Sequence, residues 1–371
     1  MRQCFRTAIC AAGTTNSIYR RAKSEIWLAI PPARCACGME IIMCEIRVKE
    51  FSFLSSNKYT EIHGKMWIPD RDVEAVLQIS HGMAEHIDRY DEFARYLAAR
   101  GILVVGNNHM GHGNSIVNKD DLGYFAIPIK GMDKRKAERY SSSADLVKDL
   151  VHITKTVKKH YPGVPYILLG HSMGSFIARR YLMEYGNELD GIIIMGTGNQ
   201  PEAVVNTGLA ITKMLIMTKG DRFRSELIYK MMFGAYNRKI DNPISGDDWI
   251  CTNEETLKKY EEDELCGFKF TLNGYEALLS TIKYVINKEN IKKIPKDVKM
   301  LINAGKEDPV GDYGEAVKQV YETYTAQGVE DITLTLYDGC RHEILNETNK
   351  EKVYNDIYMW INDHIIHKIV E

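Results

Sequence analysis

Residues Tyr166–Arg180 read YILLGHSMGSFIARR, and at their centre Gly170-His171-Ser172-Met173-Gly174 forms a G-x-S-x-G pattern. A serine hydroxyl becomes a nucleophile only when a neighbouring base takes its proton and N–H donors receive the charge that develops on the attacked carbonyl. The apolar run Tyr166–Leu169 predicts a buried strand, and Phe176, Ile177 and Tyr181 at helical spacing predict a helix after it. A strand turning sharply into a helix is the setting a nucleophile elbow needs. The turn holds Ser172 in a strained conformation, and glycines two residues to either side keep bulk away. The bare pattern is only moderately specific in a chain with 28 glycines, and a tight turn with an idle serine is the alternative reading.

The partners narrow the choice. In the α/β-hydrolase arrangement the order along the chain is serine, acid, histidine. Lys299–Ala304 (KMLINA) predicts a strand, and Asp308 lies in the loop after it. Ile332–Tyr337 (ITLTLY) predicts another, and His342 follows it. Ser172, Asp308 and His342 then share the edge of a parallel sheet where open α/β folds place their sites. Singly, each has a plainer reading: Asp308 precedes a proline and could form an Asx-turn, Glu307 is a rival acid, and His342 is one of 11 histidines. An oxyanion hole would draw one N–H from Met173, just after the nucleophile, and one from the loop after an earlier strand. Ala75–Ser80 (AVLQIS) is such a strand, followed by His81-Gly82-Met83-Ala84-Glu85-His86, which makes Met83 the second donor. His81 and His86 are expected to order this loop rather than take part in catalysis.

Four segments together resemble the monoacylglycerol lipase and lysophospholipase branch of the α/β-hydrolases, often labelled serine aminopeptidase S33. They are HGMAEHIDRYDEFARYLAARG (81–101), NNHMGHGNS (107–115), GHSMGS (170–175) and DGCRHEILNE (338–347), with GKEDPVG (305–311) also fitting. The resemblance spans roughly residues 45–367. It implies Ser172 as nucleophile, Asp308 as orienting acid, His342 as base, and Met83 and Met173 as oxyanion donors. The chain departs from the family pattern at Asn108, where an aspartate usually precedes the histidine.

The remaining elements fit a mostly parallel central sheet with helices on both faces and a helical cap insertion, an α/β-hydrolase fold. Residues 46–53 and 60–68 alternate as an opening hairpin. Ile87–Arg100 is a helix ended by Gly101, and 103–105 is a short strand. A helix starts at Asp145 after three serines and runs to about His160, and Gly191–Met195 is another buried strand. From about 200 to 292 the strand–helix alternation stops, so within a hydrolase domain of residues 44–371 this stretch is expected to be a cap over the site. Its Met214, Leu215, Ile216, Met217, Met231, Met232 and Phe233 would mostly pack cap onto core, with a few lining a slot for an acyl chain.

Composition limits the rest. A formal net charge of −2 gives no electrostatic case for nucleic acid. No apolar run is long enough for a transmembrane helix, although transient membrane-surface contact stays open. Eight cysteines lack paired metal spacing, Cys35-Ala36-Cys37 included, so neither metal nor cofactor is expected and a cytoplasmic protein with reduced thiols is. The run EETLKKYEEDE at 254–264 reads as a solvated helix face. Residues 1–43, basic, acid-poor and without periodicity, could be a transit-like targeting segment, but are read here as a start placed too early, with Met39 or Met43 as the true one, and the arm is expected to be disordered. The expected activity is hydrolysis of a monoacylglycerol, lysophospholipid or related carboxylic ester through an acyl-enzyme. An aminopeptidase or an acyltransferase on the same residues is the alternative, and the oligomeric state is undetermined.

Overall fold

The computed structural model describes residues 46–125 and 142–367, so the reading of residues 1–43 lies outside it. Eight strands form one sheet: β1 (Arg47–Leu54), β2 (Glu61–Ile68), β3 (Ala75–Ser80), β4 (Ile102–Asn107), β5 (Tyr166–His171), β6 (Gly191–Met195), β7 (Lys299–Gly305) and β8 (Ile332–Tyr337). Their spatial order is β1-β2-β4-β3-β5-β6-β7-β8. The opening hairpin pairs Arg47 with Ile68 through Leu54 with Glu61, and β2 pairs antiparallel with β4. All later pairings are parallel. Strands β3 to β6 are buried at every position, which explains why they read as unbroken apolar runs rather than alternating ones.

Each face of the sheet carries helices. On one, α1 (Asp91–Ala98) and α10 (Lys350–Ile361) cover Leu77, Leu169 and Met195 with Phe93, Leu97, Ile357 and Trp360. Fully burying each such side chain is worth about 1.5–3 kcal/mol. On the other lie α2 (Ser142–His160), α3 (Met173–Tyr185) and α9 (Glu315–Ala326). There Gln78 of β3 donates to the Leu150 carbonyl and accepts from Thr154 and Tyr166, and Arg179 of α3 donates to Tyr324 of α9. This is the expected α/β-hydrolase architecture. Two boundaries differ. Helix α2 already includes Ser142 and Ser143, ahead of the expected start at Asp145. The expected helix over 87–100 opens as a 3-10 turn at Ile87–Tyr90, with the Tyr90 hydroxyl donating to the Glu85 carboxylate, and only then becomes α1. Gly101, at φ +87°, closes it as expected.

Between β6 and β7 come α4 (Glu202–Lys219), α5 (Glu226–Phe233), α6 (Glu254–Glu262), α7 (Leu272–Val285) and the short α8 (Lys288–Ile291). Helix α7 buries Leu272, Tyr275, Leu278 and Ile282 and packs against α2, α3 and α4, which seats the end of this stretch on the core. The acidic and basic run at 254–264 is the solvated face of α6, with Leu257 and Tyr260 turned inward. The methionines are a correction: Met214, Met217 and Met231 are 52%, 80% and 50% exposed, so they do not pack cap onto core.

Candidate active site

The elbow is built as its sequence demands. Strand β5 ends at His171, Ser172 has φ 52° and ψ −119°, and α3 begins at Met173. Positive φ is strained for a residue with a side chain, and such strain gathers where a hydroxyl must be presented. Ser172 occupies the N-cap position, yet its side chain makes no capping hydrogen bond, so the hydroxyl is free for other chemistry. A Cβ on Gly174 would lie 1.9 Å from the Ser80 carbonyl oxygen, so only glycine lets α3 settle against the end of β3.

His342 Nδ1 lies 2.9 Å from Asp308 Oδ2, and both residues are buried. The other Asp308 oxygen accepts the Val310 N–H at 2.8 Å, so the Asx-turn and the histidine contact coexist in one carboxylate. Glu307 is exposed, and its backbone N–H goes to the Cys340 carbonyl. Of the two rival acids, then, the fold brings Asp308 to His342. The far nitrogen of His342, Nε2, is buried without a hydrogen-bond partner among the described residues, and His342 and Ser172 line the same cavity. Trp249 packs on the His342 ring at 5.0 Å between centroids, and Tyr236 packs on Trp249 at 4.9 Å.

Met173 and Met83 line that cavity too. As the first residue of α3, Met173 has an N–H with no intrahelical acceptor. Met83 precedes Ala84, which has φ 53°, a second strained residue beside the elbow. A Cβ on Gly82 would lie 2.5 Å from Glu85 Oε1 and 3.2 Å from the Ser172 Cβ, so the loop hugs the serine only because glycine is there. His81 orders this loop as expected: Nδ1 bonds the Gly82 carbonyl at 2.8 Å and Nε2 accepts the His109 N–H at 3.0 Å. His112 accepts the Ala84 N–H at 3.3 Å. Burial pushes His81 down to about 4 and His109 and His112 well below the usual imidazole range, so all three are neutral. His86 turns instead to Asp263 of the segment after α6, at 2.9 Å. Where the resembling family carries aspartate, the Asn108 amide oxygen accepts the Ile87 N–H at 2.9 Å, so a neutral side chain performs the loop-ordering role.

One buried ionic network under the site was not foreseen. Glu85 Oε1 accepts from the Gly82 N–H and the Tyr90 hydroxyl and lies 3.2 Å from His171 Nδ1. Arg89 Nη1 donates to Glu85 Oε2 at 3.0 Å, and the Arg89 guanidinium also forks onto both oxygens of Glu343. His171 Nε2 faces the His342 carbonyl at 3.3 Å. Burial opposes the charge on Glu85, but the His171 hydrogen bond and the Arg89 charge hold its carboxyl well below the usual range. Burial opposes charge on His171 as well, and the Glu85 hydrogen bond and charge overcome it, leaving the ring more basic than usual. A charged His171 donates from both nitrogens and thereby ties the Gly82 loop to the His342 loop. The sequence signal was present in Glu85, Arg89 and Tyr90 at helical spacing and in Glu343 beside His342; their convergence depends on a separation of 254 residues that no local pattern carries.

The cavity measures about 850 Å³ counted out to the solvent at its mouth. Phe176, Leu278, Ile282, Met232 and Phe233 supply apolar wall, whereas Glu85, Asp247 and Glu343 line it with carboxylates and no lysine or arginine among the described residues does. Such a site suits an amphiphile with an apolar chain and a polar, non-anionic end.

Comparison with known proteins follows the same lines. The family described as serine aminopeptidase, S33 (Hydrolase_4) matches residues 71–349. A "Monoglyceride lipase homolog" of Monkeypox virus is 27% identical over 310 residues, covering 82% of this chain and 95% of the relative. A "Monoglyceride lipase" of Rattus norvegicus is 27% identical over 306 residues, covering 82% and 86%. Among solved structures, a thermostable carboxyl esterase from Bacillus coagulans, in complex with glycerol, superposes with a TM-score of 0.76 at 27% identity, covering 85% of this chain and 98% of its own.

Proposed function

The chain belongs to the serine aminopeptidase S33 family, in the monoacylglycerol lipase branch of the α/β-hydrolases, and is a carboxylic ester hydrolase; we propose that it cleaves neutral monoacylglycerols through Ser172, Asp308 and His342. In this reading His342 Nε2 takes the Ser172 proton as the serine oxygen attacks the ester carbonyl. Asp308 holds the opposite nitrogen and stabilises the imidazolium. The N–H groups of Met83 and Met173 receive the oxyanion. His342 then protonates the departing glycerol oxygen, and water cleaves the acyl-enzyme by the same steps in reverse. The observation that carries this reading is the 2.9 Å Asp308–His342 contact beside an unpartnered His342 Nε2 in the cavity that presents Ser172.

Charge supports a neutral head group over a phosphate. The charged His171 in the cavity wall is engaged by Glu85, and Arg89 behind it by both Glu85 and Glu343, so a lysophospholipid phosphate would meet carboxylates without a free cationic partner. A second reading has its own support. The Asp247 carboxylate faces the cavity with no hydrogen-bond partner among the described residues, and such an acid could clamp the α-amine of a peptide. The segment from about 200 to 292 serves as the cap in our reading. The exposed Met214, Met217, Leu227 and Met231 on α4 and α5 support transient contact with a lipid surface. Among the described residues no helix is long and apolar enough to cross a membrane. Among the described residues the cysteines Cys251, Cys266 and Cys340 are buried and free, which supports a reducing, cytoplasmic compartment.

The test is a panel of matched acyl chains on glycerol, glycerophosphate, glycerophosphocholine and an aminoacyl amide. The highest kcat/KM is expected on the monoacylglycerol. A preference for the glycerophosphate ester would overturn the head-group reading, and a preference for the amide would move the chain to the peptidase reading.

A further inference from the structure

A cluster apart from the hydrolytic residues has the chemistry of a metal site. His86 leaves the loop that follows β3, and Asp263 and Cys266 lie in the turn after α6. His86 Nε2 is 2.9 Å from Asp263 Oδ2, and one ligand atom from each of His86, Asp263 and Cys266 lies within 4.8 Å of the other two. His86 and Cys266 are buried, whereas the Asp263 side chain is 34% exposed, which leaves a side open to water.

Each of these groups is already oriented. The other Asp263 oxygen accepts the Leu265 N–H at 2.8 Å, so Oδ2 alone is left for a ligand. His86 Nδ1 faces Asp88 at 3.8 Å, the kind of outer carboxylate that fixes a metal-bound imidazole. The Cys266 N–H donates to the Asp263 carbonyl at 2.9 Å, and the Gly267 N–H donates to the Ala84 carbonyl at 3.0 Å, so the turn is closed on itself and tied to the Ala84 loop.

We propose that His86 Nε2, Asp263 Oδ2 and Cys266 Sγ bind one zinc-type divalent cation, with water in the fourth position. A nitrogen, a thiolate sulfur and a carboxylate oxygen are the donor set of tetrahedral zinc, at about 2.0–2.3 Å from the ion. Ligand atoms around such an ion stand roughly 3.3–3.7 Å apart by simple tetrahedral geometry. The cluster therefore reaches it with a side-chain adjustment of about an ångström. Binding displaces the Cys266 thiol proton to solvent and leaves the imidazole neutral. Because His86 is three residues past Met83, and Gly267 lines the cavity, the ion would clamp the turn after α6 onto the oxyanion-side loop. This site is independent of the hydrolase reading, because none of its three ligands belongs to the proposed Ser172–Asp308–His342 set.

The test is titration of the full, tag-free chain with Co2+ alone, followed by Zn2+. Co2+ should give a near-ultraviolet sulfur-to-metal band and tetrahedral visible bands at one equivalent, and Zn2+ should bleach them, since zinc outcompetes cobalt at such sites. Zn2+ should also raise the melting temperature of the chain by a few degrees. Cys266→Ser should abolish the sulfur band and weaken Zn2+ binding on the order of 100-fold, while its ester turnover without metal stays at the wild-type level. Cys251→Ser should leave the band in place. If Cys266→Ser does not fold, Asp263→Asn at its part-exposed position should show the weakened binding instead. Absence of the sulfur band in the wild-type chain would overturn the proposal, as would a band that survives Cys266→Ser or an affinity unchanged in Asp263→Asn.

Discussion

Replacing Glu85 by glutamine probes how the ionic network serves the site. Both carboxylate oxygens are in use: Oε1 meets the Gly82 N–H, the Tyr90 hydroxyl and His171, and Oε2 meets Arg89. An amide has one acceptor oxygen. With that oxygen kept toward Gly82, the NH2 group faces the Arg89 guanidinium, donor against donor. Breaking a buried ion pair from one side costs about 3–5 kcal/mol. Arg89 retains Glu343, so the lower end, about 3 kcal/mol, applies. In a chain of this size that is a melting temperature lower by roughly 5 °C. His171 loses the partner that keeps it charged, and the link between the Gly82 loop and the His342 carbonyl loosens. Losing a well-aimed oxyanion donor costs on the order of 10²–10³ in kcat, and a loop displaced rather than deleted should cost about 10²-fold. Tyr90→Phe removes only one hydrogen bond to the same charged oxygen, and should cost about 1.5–3 kcal/mol with kcat nearly unchanged. Calorimetric melts and turnover of a short neutral ester at pH 7 measure both effects. If Glu85→Gln lowers the melting temperature but keeps kcat within about threefold of wild type, the network supports the fold and not the site, and the reasoning fails.

Asp308→Asn should lower kcat by about 10⁴-fold, whereas Glu307→Gln, at an exposed side chain, should change it little; steady-state turnover of the two variants decides, and the reverse ranking would move the acid. Buried neutral histidines make the chain acid-sensitive: with its folded pKa depressed to about 4, His81 stays neutral while the unfolded chain protonates below about 6.5, so its contribution to stability is present above that and declines by about 2 kcal/mol by pH 5. His112, packed among Phe125, Phe268 and Phe270, shifts in the same direction, so His112→Phe should shrink the loss in denaturant stability between pH 7 and pH 5, and an equal loss in variant and wild type would refute this. Met232 lines the cavity, so Met232→Lys should cut kcat/KM for long acyl esters about tenfold or more while sparing acetyl esters; equal losses across the acyl series would mean this wall does not read chain length.

What the sequence made legible was whatever local pattern carries. Strands β3 and β5 announce themselves as apolar runs, the elbow as two glycines around Ser172, and Asp308 and His342 by their place after strand ends. Local pattern alone left Glu307 as a rival to Asp308; the fold separates them by burying Asp308 against His342 and leaving Glu307 exposed. The Glu85–Arg89–Glu343 network joins residues on two loops, and its charges could equally have been read as solvent-facing. The exposure of Met214 and Met217 was misjudged because α4 is apolar around much of its circumference, and composition cannot tell a face packed on the core from one left open. Trp249 reaches His342 from a segment without periodicity, so no spacing pointed to it.

The central claim, that Ser172 attacks a carboxylic ester, is tested most directly by trapping the covalent intermediate. The full chain, mixed briefly with an excess of a monoacylglycerol carrying a slowly released acyl group and quenched in acid, is digested and mapped by mass spectrometry. The account predicts one acyl adduct, on the peptide carrying Ser172, with Ser172→Ala folded, unlabelled and about 10⁶-fold slower in turnover. An adduct on another residue, or an alanine variant that still turns over the ester, would contradict it.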